Sequence, residues 1–197
     1  KEVLDTGEIL EEWFYFVDNR EMYKPEELLA LFEPLDIDGV LLDPFNQLNR
    51  PVGYSENIPF IRNLKHWCKV NDKTLYLTMH PNTETQRKSS QYPEGHIWAG
   101  QPQMPLKHNS EGGSTFSNMS DDWINLNRLN KLESMKYITM VDIDKVKDVD
   151  SGGEITQSEC PLMFHFNSGL GFEIMGINPI QQALKEKISI LAPNKEF

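Results

Sequence analysis

The chain has 197 residues, with 19 Lys or Arg and 30 Asp or Glu side chains, which gives a formal charge of −11. Its apolar content of 39% is enough to build a hydrophobic core, so we expect one domain, or a large part of one, rather than a disordered chain. Two cysteines are too few for a disulfide-dense secreted scaffold or a four-cysteine zinc site, and we expect both to be plain buried thiols in a reducing compartment.

The negative charge is concentrated at the front of the chain. Residues 1–43 carry 13 acidic and 3 basic side chains, whereas residues 44–112 carry 8 basic and 5 acidic ones. The sequence pI of 4.9 argues against a dedicated, high-affinity nucleic-acid surface, but it allows nucleic acid to be contacted by one or two loops. The sequence has no apolar run near the roughly 18 residues of a membrane helix and no signal-peptide pattern at its start, so we expect a cytoplasmic protein with no membrane partner.

The first 80 residues alternate between strand and helix patterns. Residues 13–17 (WFYFV) are an aromatic and β-branched run that predicts a buried strand, and Gly39–Leu42 and residues 74–79 predict two more. Pro25 opens a predicted helix with an acidic first turn, and a second helix is predicted over residues 55–70. Strands that lack polar alternation and are separated by helices are typical of a mostly parallel sheet covered on both faces, so the predicted fold class is α/β.

This pattern stops over residues 81–112, which contain four prolines and several Ser and Gln residues. Structureless stretches of this length are uncommon within compact domains and are usually functional or disordered, so we expect a long loop that is disordered in the free protein. Beyond it, strand patterns return, and we expect the later strands to form an antiparallel edge of the sheet, followed by a closing helix. The four strands are predicted over residues 123–126, 136–143, 162–166 and 171–174, and the helix over residues 179–188.

Three polar residues follow the first three predicted strands: Asp18, Asp43 and His80. Ligands of open α/β sheets bind at the carboxyl ends of the strands. Asp43 is a candidate for holding Mg²⁺, which prefers one or two carboxylates plus substrate phosphates, and His80 is a candidate sensor of a phosphate or a bound water. The alternative interpretation is that the Asp-Pro and His-Pro pairs simply end a strand, because Pro cannot continue one.

Other signatures of chemistry are missing from the sequence. The phosphate-binding pattern G-x-x-x-x-G-K-[ST] does not occur, and Gly169 and Gly171 lack the third glycine of a dinucleotide fingerprint. The five histidines have no metal-type spacing. A nucleotide enzyme therefore cannot be argued from these motifs alone.

The order of the segments is more informative than any single motif. Residues 14–19 (FYFVDN), a Pro-started helix and residues 39–48 (GVLLDPFNQL) resemble the middle of the RecA-like ATPase domain of DnaB-type replicative helicases and of phage and Twinkle-like primase-helicases. The resemblance continues through residues 75–81 (LYLTMHP), 113–128 and 141–147 (VDIDKVK), in the family's order.

The resemblance implies a RecA-like, mostly parallel sheet flanked by helices, with ATP and Mg²⁺ as cofactors. It implies that Asp43 closes the Walker B strand and binds Mg²⁺, and that His80 senses the γ-phosphate. Lys147 takes the place of the family's arginine finger and acts on the nucleotide of a neighbouring subunit, although Lys lacks the planar fork of Arg. The implied nucleotide-binding residues are Asp43, Asn46, Asn118, Lys145 and Lys147. For the two lysines, a solvated strand edge is the alternative.

The resemblance also implies single-stranded DNA as a partner and self-association into a ring, as in the hexameric helicases. Residues 81–112 become the DNA-facing loop, in which Arg87, Lys88 and Lys107 contact the backbone and Trp98 stacks on bases. Because the family's phosphate loop and catalytic Glu lie upstream, we expect this chain to be the downstream, incomplete part of a RecA-like domain, from Walker B to the last strands, and to be inactive alone.

The implied function is the C-terminal part of an ATP-dependent replicative DNA helicase motor, which couples ATP hydrolysis at a subunit interface to translocation on single-stranded DNA. Three alternatives remain open. One is a RecA-like recombination or plasmid-replication ATPase without unwinding activity, and another is a non-catalytic α/β interaction module whose acidic front binds a partner. The third is a metal-dependent hydrolase that uses Asp18, Asp43 and His80.

Overall fold

The described residues fold into two small sheets with helices between and beside their strands. The first is a two-stranded parallel sheet and the second a four-stranded antiparallel sheet, so the fold is mixed α/β. In the part of the chain that is described, no helix is both long and apolar enough to cross a membrane. The computed structural model describes residues 11, 13–18, 20–49, 53–83, 90–129, 132–157, 160–167 and 171–174. The helix predicted over residues 179–188 lies outside this set.

The parallel sheet is built from the sequence α1, β1, α2 and β2. Helix α1 (Pro25–Phe32) begins with Pro at its first position, and the Glu27 carboxylate accepts a hydrogen bond from the backbone N–H of Lys24 at 2.7 Å, which caps the helix. Strands β1 (Gly39–Leu42) and β2 (Thr74–Leu77) pair in parallel. Helix α2 (Tyr54–Asn71) connects them. All four elements confirm the predictions from the sequence, with β2 two residues shorter than expected.

One face of the parallel sheet forms the first hydrophobic core. Val40 and Leu42 of β1 are buried against Leu28 and Phe32 of α1, and Trp67 of α2 packs against the same group. The strand residues in between, which include Leu41 and Tyr76, point to the opposite face and are exposed. Within the described residues, this sheet is therefore covered on one face only, and the two-sided parallel sheet predicted from the sequence is not seen there.

A second core joins the carboxyl end of β1 to the rest of the molecule. Phe45, in a 3-10 turn (Phe45–Gln47), is completely buried and packs with Ile61 of α2 and Phe116 of α3 (Ser114–Met119). Its ring centroid lies 5.3 Å from that of Phe60 and 5.2 Å from that of Phe116. This aromatic cluster fixes α3 next to the end of β1.

The antiparallel sheet has the strand order β3-β4-β5-β6. These four strands confirm the predicted elements, but they form a sheet of their own in the described residues and not an edge of the parallel sheet. Each strand pairs antiparallel with the next strand along the chain, which is sufficient to build a sheet without β1 or β2. The strands are β3 (Trp123–Asn127), β4 (Ile138–Lys145), β5 (Leu162–Phe166) and β6 (Phe172–Ile174), and a short helix, α4 (Val149–Gly152), follows β4.

The strand predicted over residues 13–17 is wrong. Residues 14–17 belong to no helix and to no sheet among the described residues, and the side chains of Trp13 and Phe16 are 75% and 88% exposed. Only Val17 packs against the first core. An apolar run becomes a buried strand only when a neighbouring strand and a covering layer accept it, and neither is present at this segment in the described part of the chain.

Candidate functional site

The carboxyl ends of β1 and β2 bring two polar side chains into contact. The Thr78 hydroxyl donates a hydrogen bond to the Asp43 carboxylate. Backbone pairing continues past the strands, because Thr78 N–H donates to the Leu42 carbonyl at 3.1 Å and Phe45 N–H donates to the Thr78 carbonyl at 2.9 Å. Asp43 is exposed, so its carboxylate is both held in place and open to a ligand.

Asn46 links three segments beside this strand end. Its side-chain carbonyl accepts from the His80 backbone N–H at 3.2 Å, and its amide group donates to the Glu111 carboxylate. The Glu111 backbone N–H in turn donates to the His80 carbonyl at 3.1 Å. His80 therefore stands beside the turn that follows Asp43, as its position after β2 predicts. Glu111 is an addition to the site that sequence reasoning missed, because 65 positions separate it from Asn46 and no motif marks it.

The two ends of the long segment 81–112 meet at this point. Pro81 and Ser110 form an isolated antiparallel bridge, and Asn82 N–H donates to the Asn109 carbonyl at 2.6 Å. Gly112 then turns the chain into α3 with a φ of 97°, and a Cβ there would lie 2.8 Å from the Phe116 ring, so this turn needs glycine in both respects. The base of the loop is therefore tied directly to His80.

The interior of the loop contains an aromatic cluster. The Tyr92 and His96 rings stack at 4.4 Å, and Trp98 packs edge-on against Tyr92 at 5.3 Å. Trp98 is half-buried, and Lys107 forms an ion pair with Asp144 at 3.3 Å. Of the four predicted DNA-contacting residues, these two already have partners in the protein. The other two, Arg87 and Lys88, lie outside the described residues.

Lys145, at the end of β4, points at the carboxyl end of α3. Its ammonium group donates to three backbone carbonyls, those of Ser117 at 2.9 Å, Asn118 at 3.0 Å and Ser120 at 2.7 Å. Asn118 itself is exposed on α3 and contributes only its backbone to this contact. The predicted nucleotide-binding residues Lys145 and Asn118 are thus brought together, but through a contact within the chain.

Lys147 forms an ion pair next to the contact between Lys145 and α3. Its ammonium group and that of Lys65 on α2 both lie 2.8 Å from the same carboxylate oxygen of Asp121. Burial raises the pKa of Asp121, but the hydrogen bonds from Lys147 and Lys65 outweigh it, so the pKa lies below its ordinary value of 3.8. The same carboxylate raises the pKa of Lys147. Lys147 is 65% exposed and is therefore held by Asp121 while still reachable from outside.

The second core is bordered by the residues at the strand ends, Asp43 and His80, and by the lysines Lys65, Lys145 and Lys147. Phe45 follows Asp43 by two residues and contacts Phe116 of α3, and Met119, at the last position of α3, packs against the same cluster. Lys65 donates to the Met119 carbonyl at 3.0 Å. Packed side chains and this hydrogen bond therefore connect the end of β1 to α3 and to Lys65.

Asp18 does not join this site. It was expected at a strand end, but residues 14–17 form no strand, and its carboxylate is paired with the Arg20 guanidinium, which lowers the pKa of Asp18. In the described ranges, no group of three or more His, Cys, Asp or Glu side chains could hold a metal ion by itself. The arrangement thus does not favour a hydrolase that uses Asp18, Asp43 and His80 together.

The two cysteines differ in their surroundings. Cys68 on α2 is half-buried, and burial raises the pKa of its thiol, whereas Cys160 is exposed. The prediction that both are buried is therefore wrong for Cys160. Cys160 pairs with Gln157 in an isolated antiparallel bridge just before β5, and this placement leaves it exposed.

Comparison with known proteins adds no assignment. No protein-family model matches the chain, and no curated protein matches it with significant similarity. We therefore infer function from the geometry of the strand ends, the base of the long loop, and Lys145 and Lys147.

Proposed function

We propose that this chain supplies the magnesium-binding strand and the downstream elements of a RecA-like, ATP-driven motor that moves along single-stranded DNA, as in the replicative helicases it resembles. The observation that carries the proposal is the meeting of Asp43, His80 and the base of the long loop at one end of two adjacent parallel strands. Ligands of α/β sheets bind at such strand ends, and a loop attached there responds directly to what is bound.

The donor set at Asp43 fits magnesium. An exposed carboxylate held by a hydroxyl provides one protein ligand, and Mg²⁺ commonly takes one or two carboxylates with phosphate oxygens and water completing its shell. In the proposed motor, Asp43 orients Mg²⁺ on ATP, and the ion neutralises charge on the phosphates. Asn46 belongs to the same site and fixes the His80 backbone.

The remaining roles follow from position. In the proposed motor, His80 responds to the γ-phosphate, and the backbone hydrogen bond between His80 and Glu111 passes its movement to the loop 81–112, which would contact DNA. Lys147 is exposed and charged, and in a ring, such as a hexamer, it would reach the nucleotide of the neighbouring subunit. Phosphoryl transfer depends mainly on positioning and charge stabilisation, so parts from separate elements are sufficient.

The test is ATP hydrolysis by the polypeptide that contains this chain together with a phosphate-binding loop. We expect Asp43→Ala to lower kcat at least about a hundredfold with the fold intact, because positioned charge at a metal site supplies several kcal/mol of the barrier reduction. The matched control is Asp38→Ala, an exposed carboxylate just before the opposite end of β1, which should leave hydrolysis unchanged.

Two results would count against the motor. Full hydrolysis by the Asp43→Ala protein would remove the Walker B role. Absence of ATP binding and hydrolysis in the unmodified polypeptide would favour the interaction module, for which the exposed aromatic side chains of residues 13–16 in the acidic front are the supporting observation.

A further inference from the structure

The three hydrogen bonds of Lys145 saturate its ammonium group. A lysine ammonium has three N–H donors, and here three backbone carbonyls accept at 2.7–3.0 Å. These carbonyls lie at the carboxyl end of α3, where helical C=O groups lack partners and the helix dipole favours a positive charge. The contact spans 25 to 28 sequence positions, so it joins β4 to α3 and is not a local cap.

We propose that Lys145 is a positioning residue that anchors the end of α3 within its own subunit, rather than a ligand of the neighbouring subunit's nucleotide. A phosphate could be bound only by giving up carbonyl contacts, which would take the lysine donor away from the Asn118 and Ser120 carbonyls at a half-buried helix end. Of Lys145 and Lys147, only Lys147 has an ammonium group exposed enough to reach a neighbouring subunit.

The anchor also positions Lys147. Asp121 follows directly after Ser120, whose carbonyl is held by Lys145, and Asp121 accepts from Lys147 at 2.8 Å. Lys65 holds the other side of the same turn through the Met119 carbonyl and the Asp121 carboxylate. Lys145 therefore acts on Lys147 through Asp121. This last step depends on the proposed function, whereas the anchoring itself does not.

The anchor is tested on this chain without nucleotide. We expect Lys145→Met to increase amide hydrogen exchange in α3 by at least about tenfold, because breaking charged hydrogen bonds at a helix end lowers the free energy of local opening. The matched control is Lys147→Met, which removes an exposed ion pair and should change exchange in α3 less than about threefold. Equal exchange in the Lys145→Met and unmodified proteins would overturn the proposal.

A second measurement covers the case in which Lys145→Met does not fold. In the unmodified chain, ¹H–¹⁵N spectra of the lysine ammonium groups should show slow solvent exchange for Lys145 and fast exchange for Lys147. Similar fast exchange for both would overturn the anchor.

In the ATP-hydrolysing polypeptide, Lys145→Met should lower kcat with little change in KM, and its effect should be lost in a Lys147→Met background. Additive effects of the two substitutions would overturn the link to Lys147. Slow hydrogen exchange in α3 without any ATPase activity would leave the anchor intact and reject only the motor.

Discussion

Replacing Phe45 by Ala tests whether the second core fixes α3 to the end of β1. The Phe45 side chain is fully buried and its ring forms two aromatic pairs, with Phe60 and Phe116. Burial of such a side chain contributes roughly 1.5–3 kcal/mol, and each ring pair adds about 0.5–1.5 kcal/mol. We therefore expect Phe45→Ala to lower the free energy of unfolding by about 3–5 kcal/mol, in line with other buried Phe→Ala changes.

The assay is urea unfolding of the 197-residue chain, followed by tryptophan fluorescence, because Trp67 and Trp123 pack against the two cores. With a slope of about 2 kcal/mol/M, the expected loss moves the midpoint down by about 1.5–2.5 M. The matched control is Phe16→Ala, at a side chain that is 88% exposed, and it should stay within about 0.5 kcal/mol of the unmodified chain. A loss below about 1 kcal/mol for Phe45→Ala, or equal losses for both variants, would refute the reasoning.

Two further predictions concern titration and thiol reactivity. Because the folded pKa of Asp121 lies below 3.8, its ion pairs stabilise the fold fully above that value and less as the pH falls through the folded pKa. The stability difference between the unmodified chain and Asp121→Asn should thus shrink from about pH 5 to pH 2 in urea titrations, and a constant difference would contradict it. A disulfide reagent should modify exposed Cys160 at least about tenfold faster than Cys68, whose thiol pKa is raised by burial; equal rates would contradict the placement.

Several elements could be predicted from the sequence because their signals are local. Gly39–Leu42 and Leu162–Phe166 are short apolar runs with turn formers beside them, and both are strands with the predicted bounds. Pro25 with acidic neighbours marked the start of α1 correctly. The placement of two candidate-site residues could also be predicted. Asp43 and His80 come just after adjacent parallel strands, and the carboxyl ends of such strands lie at one edge of a sheet.

What the sequence could not decide was which elements meet. The aromatic residues 13–16 have strand propensity but are exposed, the antiparallel strands form a separate sheet, and Glu111 reaches Asn46 across 65 positions. Lys145 is a further example. The alternating charges at its strand end predict a solvated edge, and only the tertiary structure shows that α3 supplies three carbonyls to its ammonium group. Local propensity depends on neighbours along the chain, whereas burial and pairing depend on distant groups that only the tertiary structure brings together.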